Sequence, residues 1–396
     1  MQKTSVPVAV PGFADAHTHL LRTAAGIPFP WQPVATPGTP SPGDAVAEFH
    51  RRVAQSGSTP MDVPEPEPPA PAEEMAARLA AGLAAAAATG LVEITEMGMR
   101  AWWYLDALAA LEQAGPLPVR VRIYLASGLA DVLADGTGQS DRASLAELDA
   151  RGSATGNWVS LDGVKFYADG WLGPRTCALG HPFHDGSADG LLFMPPGTLA
   201  RRIGPLAEHG WRIATHAIGD RAVAAVLDAY ELVWGGDLVA QAAAAPRIEH
   251  ASVLSAELIS RMAETGTVTC LQPSFAVTDA EQVRRALGPQ QAGAAYPWAA
   301  LAAAGARLLA GTDYPIEVLD PLAGLARLVS GRAERPGFHT AESAPEGSRL
   351  GVEHAFALLT DPAAGETLLS ADPRTLPPDG LDQVTALGTR PVPFGG

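Results

Sequence analysis

Eight short apolar segments recur along the chain, each followed by a helical stretch, and this rhythm limits the fold more than any other feature. They are Val8–His19, Gly90–Met97, Val119–Ala126, Leu161–Ala168, Trp211–His216, Pro246–His250, Thr267–Gln272 and Arg307–Asp313. Helical patterning falls between and after them, at Glu73–Thr89, Arg100–Gln113, Ser144–Ala150, Thr198–His209, Asp220–Trp234, Ala256–Ala263, Asp279–Ala304 and Pro321–Val329. Strand–helix alternation implies parallel strands joined by right-handed crossovers. Eight such units predict an α/β protein with a (β/α)8 TIM barrel, the alternative being an open doubly wound sheet. The chain contains no G-x-G-x-x-G or G-x-x-x-x-G-K-[ST] sequence that would mark a nucleotide site on such a sheet.

In a barrel the chemistry lies at the C-terminal ends of the strands. Here those ends carry His17 and His19, Glu96, Lys165, His216, His250, Gln272 and Asp313, so that six of the eight strands finish on an imidazole, a lysine or a carboxylate. His17 and His19 flank Thr18, and in an extended chain period-two alternation turns both rings to one side. Four histidines and an aspartate suit a divalent metal, Zn²⁺ or else Mn²⁺, Fe²⁺ or Ni²⁺. A lysine buried beside a metal loses its proton more easily, and the neutral amine can take up CO₂ to form a carbamate with a negative charge and two oxygens. Taken by itself, Lys165 reads equally as half of a structural ion pair.

Of the 396 residues, 47% are apolar and 18% charged, as in a globular protein with a large core. A net charge of −16 argues against nucleic acid and against anionic membrane surfaces as partners. Cys177 and Cys270 are the only cysteines, which suits a reducing compartment, and the N-terminus shows no apolar signal segment. The expectation is a cytoplasmic protein acting on a small molecule, with a homodimer left open. Twelve of the thirty-five prolines fall within Ile27–Pro71, which predicts a loop insertion over residues 28–71, read either as a lid using Phe29 and Trp31 or as a disordered insertion.

The motifs PGFADAHTHL, VKFYADG, THAIGDRAV, RIEHA, LQP and GTDYPIEVLDPL together resemble the amidohydrolase superfamily, in order from Pro11 to about Leu325. They are most similar to amidohydrolase family 3, the subgroup that includes N-substituted formamide deformylases. The resemblance implies a barrel holding one or two divalent metals, with His17 and His19 as the H-x-H pair, Lys165 as the carboxylated lysine, His216 and His250 as the later histidines and Asp313 as the acid. It also implies a small β-sandwich around the barrel. That part is expected to be missing ahead of His17, leaving a barrel over residues 1–360 and a tail over 361–396 as a remnant of it.

The implied function is hydrolysis of a C–N bond in an amide, formamide or cyclic amide, with Asp313, His250 and Lys165 as catalytic residues and Asp313 moving the proton. A deaminase, a lactonase or a dehydratase-cyclase would use the same ligands, and a non-catalytic metal-binding barrel is the reading from another class. Crowding of five ligands around one ion favours two ions bridged by carboxylated Lys165. Asp169, Trp171 and Arg175, on the loop after the fourth strand, are expected to meet substrate, Arg175 holding a carbonyl or carboxylate. His181 and His184 read as surface or gating residues, Asp220 as a helix cap, Trp102 and Trp103 as packing, and Glu96 as a hydrogen-bonding support.

Overall fold

The computed structural model describes residues 7–28, 65, 67–132, 142–332 and 345–395, so most of the proline-rich insertion, Phe29 and Trp31 included, lies outside the described residues. Two sheets are formed. Strand β1 (Val8–Pro11) belongs to a small antiparallel sheet, while β2 (Phe13–Thr18), β3 (Leu91–Met99), β4 (Arg120–Ala126), β5 (Val159–Tyr167), β6 (Arg212–Ala217), β7 (Arg247–His250), β8 (Val268–Leu271) and β9 (Arg307–Ala310) follow one another in an eight-stranded parallel sheet. The small sheet is completed by β10 (Gly365–Leu369) and β11 (Ala386–Pro391), in the order β1-β10-β11.

Helices connect the parallel strands. After β2 come α1 (Leu20–Ala24) and α2 (Ala72–Ala88), after β3 comes α3 (Trp103–Ala114), and after β4 come α4 (Ser127–Val132) and α5 (Arg142–Ser153). Then α6 (Pro196–Glu208) follows β5, α7 (Asp220–Trp234) and α8 (Leu238–Ala244) follow β6, and α9 (Ala256–Thr265) follows β7. Beyond β8 lie α10 (Phe275–Thr278), α11 (Ala280–Gln291) and α12 (Trp298–Ala303), and beyond β9 lie α13 (Pro321–Ser330) and α14 (Val352–Leu358). This is the (β/α)8 barrel that the alternation predicts. On α2, Met75, Leu79, Leu83 and Ala86 form the buried stripe at helical spacing.

The structure corrects the reading of Val8–His19 as one strand. The chain turns at Gly12, where a Cβ would stand 2.3 Å from Val92 Cγ2 and 3.0 Å from the Gly365 carbonyl, so only glycine passes between the two sheets. The last strand also stops at Ala310, short of the expected Asp313. The expected long helix over 279–304 is broken, because Gly288 adopts φ 74° ahead of Pro289, and α12 starts afresh after Pro297. Asp220 is the first residue of α7, whose cap is Gly219; its carboxylate accepts from Gly180 N.

The large apolar core lies between strands and helices. A small separate cluster of Met97, Tyr124 and Ala214 lies on the strands. Toward the strand starts, Arg120 and Arg122 pair with Glu93, and they reach Asp361 and Asp162 respectively. Toward the strand ends the interior is polar again, with Lys165, His216, Arg247 and Glu249 all buried. Among the described residues no helix is long and apolar enough to cross a membrane.

The barrel closes between β2 and the residues after β9. Asp313 N donates to His17 O and His19 N to Tyr314 O, both at 2.7 Å. A Cβ at Gly311 would lie 2.3 Å from His17 N and 2.8 Å from Asp15 Oδ1. Gly311→Ala is therefore expected to destabilise the protein by about 2 kcal/mol or more through overpacking. Gly204→Ala, inside α6 with nothing within 4 Å, is expected to stabilise it by about 0.5–1 kcal/mol. Urea unfolding of both variants checks the pair; a Gly311→Ala midpoint equal to wild type would contradict the closure geometry.

Candidate metal centre

The site is built on backbone that leaves regular strand geometry where its side chains are needed. His17 is still in β2, but His19 lies one residue beyond it, at the N-terminus of α1. His250 (φ 76°), Ala251 (φ 43°) and Asp313 (φ 58°) adopt left-handed conformations that non-glycine residues rarely hold. Backbone strain of this kind persists where the surrounding structure over-determines it, often at functional sites.

His17 Nε2 lies 3.4 Å and His19 Nε2 3.2 Å from the same oxygen, Asp313 Oδ1. These three residues bring ligand atoms within 4.8 Å of one another. His250 adjoins them, its ring centroid 5.1 Å from that of His17, and His216 lies 4.5 Å further on. Lys165 is fully buried at the same level, and its charge is felt by His17, His250, Asp313 and Glu249. Its Nζ has no hydrogen-bond partner. A buried, strongly polar atom without a partner is costly unless something else satisfies it. The six residues read from the strand ends thus come together at one mouth.

The histidines are held by buried groups, and each of those bonds selects one ring nitrogen. His17 Nδ1 is 2.6 Å from Glu249 Oε2, His250 Nδ1 is 2.8 Å from Gln272 Oε1, and His216 Nε2 is 2.9 Å from the Gly170 carbonyl. Those bonds occupy Nδ1 of His17 and of His250 and Nε2 of His216. Burial lowers the His17 pKa, with Lys165 adding to the effect, and lowers that of His250 further, with His216 next to it, so both rings are neutral. Burial likewise brings the Lys165 amine down to about 8. Asp313 is pushed up by burial but pulled down harder by His17 and His19, and stays below the usual carboxylate range. Neutral imidazoles beside an ionised carboxylate are the state in which such groups bind a metal.

Three supports escaped the sequence reading. Glu249 accepts from His17 and from Arg247 at 2.8 and 3.0 Å. Asp15 accepts from His17 N, Thr312 N and Thr312 Oγ1, joining the first strand to the last. Both were findable, because Asp15 stands two residues before His17, and Glu249 two after Arg247, on the same strand face. Tyr167, two residues past Lys165, lies under the Lys165 ammonium at 5.1 Å and 5.5 Å from the His216 ring. His17, Glu249 and Cys270 form a second close group, but there Nδ1 and Oε2 are bonded to each other and Arg247 covers the carboxylate.

The expected substrate contacts fare differently. Asp169 accepts from Ala178 N, Ile218 N and Gly219 N, which ties the loop to the barrel, and its Oδ1 lies 3.5 Å from His216 Nε2. Burial pushes the carboxylate up to about 7 despite those donors. Arg175 pairs with Asp185 at 3.3 Å, both half-exposed, and is not brought to the histidines. Trp171 is partly buried against the apolar core. His184 fits the kink at Gly288, where a Cβ would meet its ring at 2.5 Å. Cys177 and Cys270 are buried and held as thiols.

The profile described as the amidohydrolase family matches residues 35–367, and the chain belongs to that family. The matched span begins after His17 and His19, which join the centre through geometry. YtcJ of Bacillus subtilis (strain 168), a protein named as an amidohydrolase, is 34% identical over 216 residues, 53% of this chain and 39% of YtcJ. Protein LONG AFTER FAR-RED 3 of Arabidopsis thaliana is 32% identical over 176 residues, 43% of this chain and 30% of that protein. The chain thus covers well under half of these relatives. Among solved structures, an uncharacterized metal-dependent hydrolase from Pyrococcus horikoshii OT3 superposes with a TM-score of 0.67 at 19% identity, covering 94% of this chain and 88% of that one. TrzN, the atrazine chlorohydrolase of Arthrobacter aurescens TC1 crystallised with zinc, gives 0.52 at 14% identity, covering 96% and 81%. At such identities the likeness is one of fold.

Glu96 caps α1, the helix that begins right after His19, by accepting from Leu21 N at 2.8 Å. Burial raises its pKa from 4.5 to about 8. Between those values the folded state holds the proton more tightly than the unfolded chain does, so this group's contribution to stability falls as pH rises across that window. Glu96→Gln keeps an acceptor and removes the titration. Unfolding measured from pH 5 to 8.5 is expected to show wild type losing stability relative to Glu96→Gln; parallel profiles would contradict the burial account.

Proposed function

We propose that this chain is a metal-dependent hydrolase that cleaves a C–N bond of a small amide, formamide or cyclic amide. The observation that carries the reading is the buried Lys165 Nζ, without a hydrogen-bond partner, in the same cluster as His17 and His19, whose Nε2 atoms lie 3.4 and 3.2 Å from Asp313 Oδ1. This donor set fits a divalent ion: nitrogen and carboxylate ligands converge, and the buried partners of the histidines already point the remaining nitrogens inward. His17, His19 and Asp313 would hold one ion, with His216, His250 and Lys165 serving a second. Such an ion supplies Lewis-acid polarisation of a carbonyl and acidifies water. Zinc is the first choice by ligand type, and a structural relative, TrzN, was crystallised with it.

The chain's own residues perform the proton work. Asp313, held below the usual carboxylate range, accepts a proton from the attacking water and passes it to the leaving nitrogen. The Lys165 amine, brought down to about 8 by burial, would add CO₂ at Nζ with release of one proton, giving a carbamate that would offer anionic oxygen to a divalent ion. The buried imidazoles and the apolar Phe275 ring, parallel to His250 at 6.0 Å, keep the reacting groups away from bulk water.

Protein expressed in zinc- or manganese-supplemented medium is expected to carry about two metal equivalents per chain by elemental analysis, and less than about half an equivalent would contradict the reading. Asp313→Asn is expected to keep the fold and most of the metal while lowering turnover of a responsive amide by a factor on the order of 10²–10⁴. An unchanged rate would remove Asp313 from the proton pathway. Lys165→Ala is expected to lose one metal and most activity, with partial return on adding acetate or propionate. Two metals retained in Lys165→Ala would rule out the bridging role.

A further inference from the structure

Three of the cluster histidines are not held alike. Gln272 holds His250, and the Gly170 carbonyl holds His216 with the Asp169 carboxylate 3.5 Å from the same nitrogen, whereas His17 Nδ1 is bonded directly to a carboxylate at 2.6 Å. Glu249 is fully buried and lies across the barrel from His17, on β7. A carboxylate sealed from water needs a cation, and Arg247 supplies it from the same face of the same strand. The guanidinium binds both Glu249 oxygens, donates to Ala16 O next to His17, and lies 5.3 Å from the Tyr124 ring that floors the interior. Arg247 is therefore anchored to β2 and β7 at once, and Glu249 has little freedom left.

A hydrogen bond of 2.6 Å to a carboxylate requires the proton on Nδ1, since a carboxylate can only accept. With Nδ1 protonated, Nε2 carries the lone pair, and Nε2 is the atom 3.4 Å from Asp313 Oδ1. The anion also makes the imidazole a stronger donor than an amide or carbonyl partner would.

We propose that Glu249, clamped by Arg247, is the positioning residue for metal capture: it fixes His17 in the Nδ1–H tautomer and aims Nε2 into the centre. The proposal rests on the metal-binding reading above. Arg247 and Glu249 support the first ligand from the opposite side of the barrel, so the H-x-H pair does not stand on β2 alone.

The test uses ¹⁵N-histidine-labelled, metal-stripped protein and titration with Zn²⁺. The His17 signals of wild type are expected to show a protonated Nδ1 and an unprotonated Nε2; a protonated Nε2 overturns the proposal whether or not metal binds. Removing Glu249 alone would leave Arg247 unpaired in the interior and risk unfolding, so two double variants are compared, Arg247→Met/Glu249→Gln and Arg247→Met/Glu249→Leu. The first keeps an acceptor for Nδ1–H and the second does not. With matching thermal unfolding midpoints, zinc affinity is expected to be weaker than wild type by about 10-fold in the Gln variant and by about 100-fold in the Leu variant. Equal affinities in the two doubles, within about twofold, would overturn the positioning role. If wild type takes up no zinc at all, the metal reading itself fails, and the tautomer still decides whether Glu249 orients His17.

Discussion

The contact on which the rest depends is the closure of the barrel between its first and last strands, made by Asp15. One carboxylate accepts from His17 N, Thr312 N and Thr312 Oγ1, so the histidine pair at the end of β2 and the acid beyond β9 are set by the same side chain. Gly311 lets the two backbones approach closely enough for this, and Asp313 N then reaches His17 O. Had the sheet stayed open, His17, His19 and Asp313 would lie at opposite edges of it. Closure turns residues about 300 positions apart in sequence into neighbours.

A polar interior follows from that geometry. Where a packed barrel would hold branched aliphatic side chains, this one holds Arg247, Glu249, Lys165 and histidines around a small apolar patch. Each buried charge in it is matched, Glu93 with two arginines near the strand starts and Glu249 with Arg247 near the ends. The exception is Lys165, whose Nζ has no hydrogen-bond partner. The histidines, Asp313 and Lys165 offer nitrogen and carboxylate donors of the kind that hold a divalent cation. The strained backbone at His250 and Asp313 falls at the same place.

Much of this was legible in the sequence, because the signals were periodic or local. Alternating strands and helices specified the barrel, and the places of Lys165, His216 and His250 toward the C-terminal ends of β5, β6 and β7 came from the same pattern. What escaped depended on distance in sequence or on backbone detail. The split of Val8–His19 rests on a contact between Gly12 and Val92 that no local pattern encodes. The turn of Asp313 out of β9 needs a left-handed residue, a conformation few non-glycine residues hold and one that the strand pattern of RLLAGTD does not announce. Asp169 opens a glycine-rich loop, and its place in the sequence does not show that three amide donors from two separate loops converge on it. Glu249 was hidden by its neighbour, since the eye takes the histidine of RIEH and passes over the acid that supports another histidine.

The central claim is that Lys165, Asp313 and the four histidines mark a centre for two divalent cations. Crystals grown from metal-loaded protein, with diffraction recorded on both sides of the metal absorption edge, test it most directly. The expected result is two anomalous peaks at the barrel mouth, one beside His17, His19 and Asp313 and one beside His216 and His250, with density for a carbamate extending from Lys165 Nζ between them. A mouth without anomalous peaks, or a single peak beside an unmodified Lys165 amine, would contradict it.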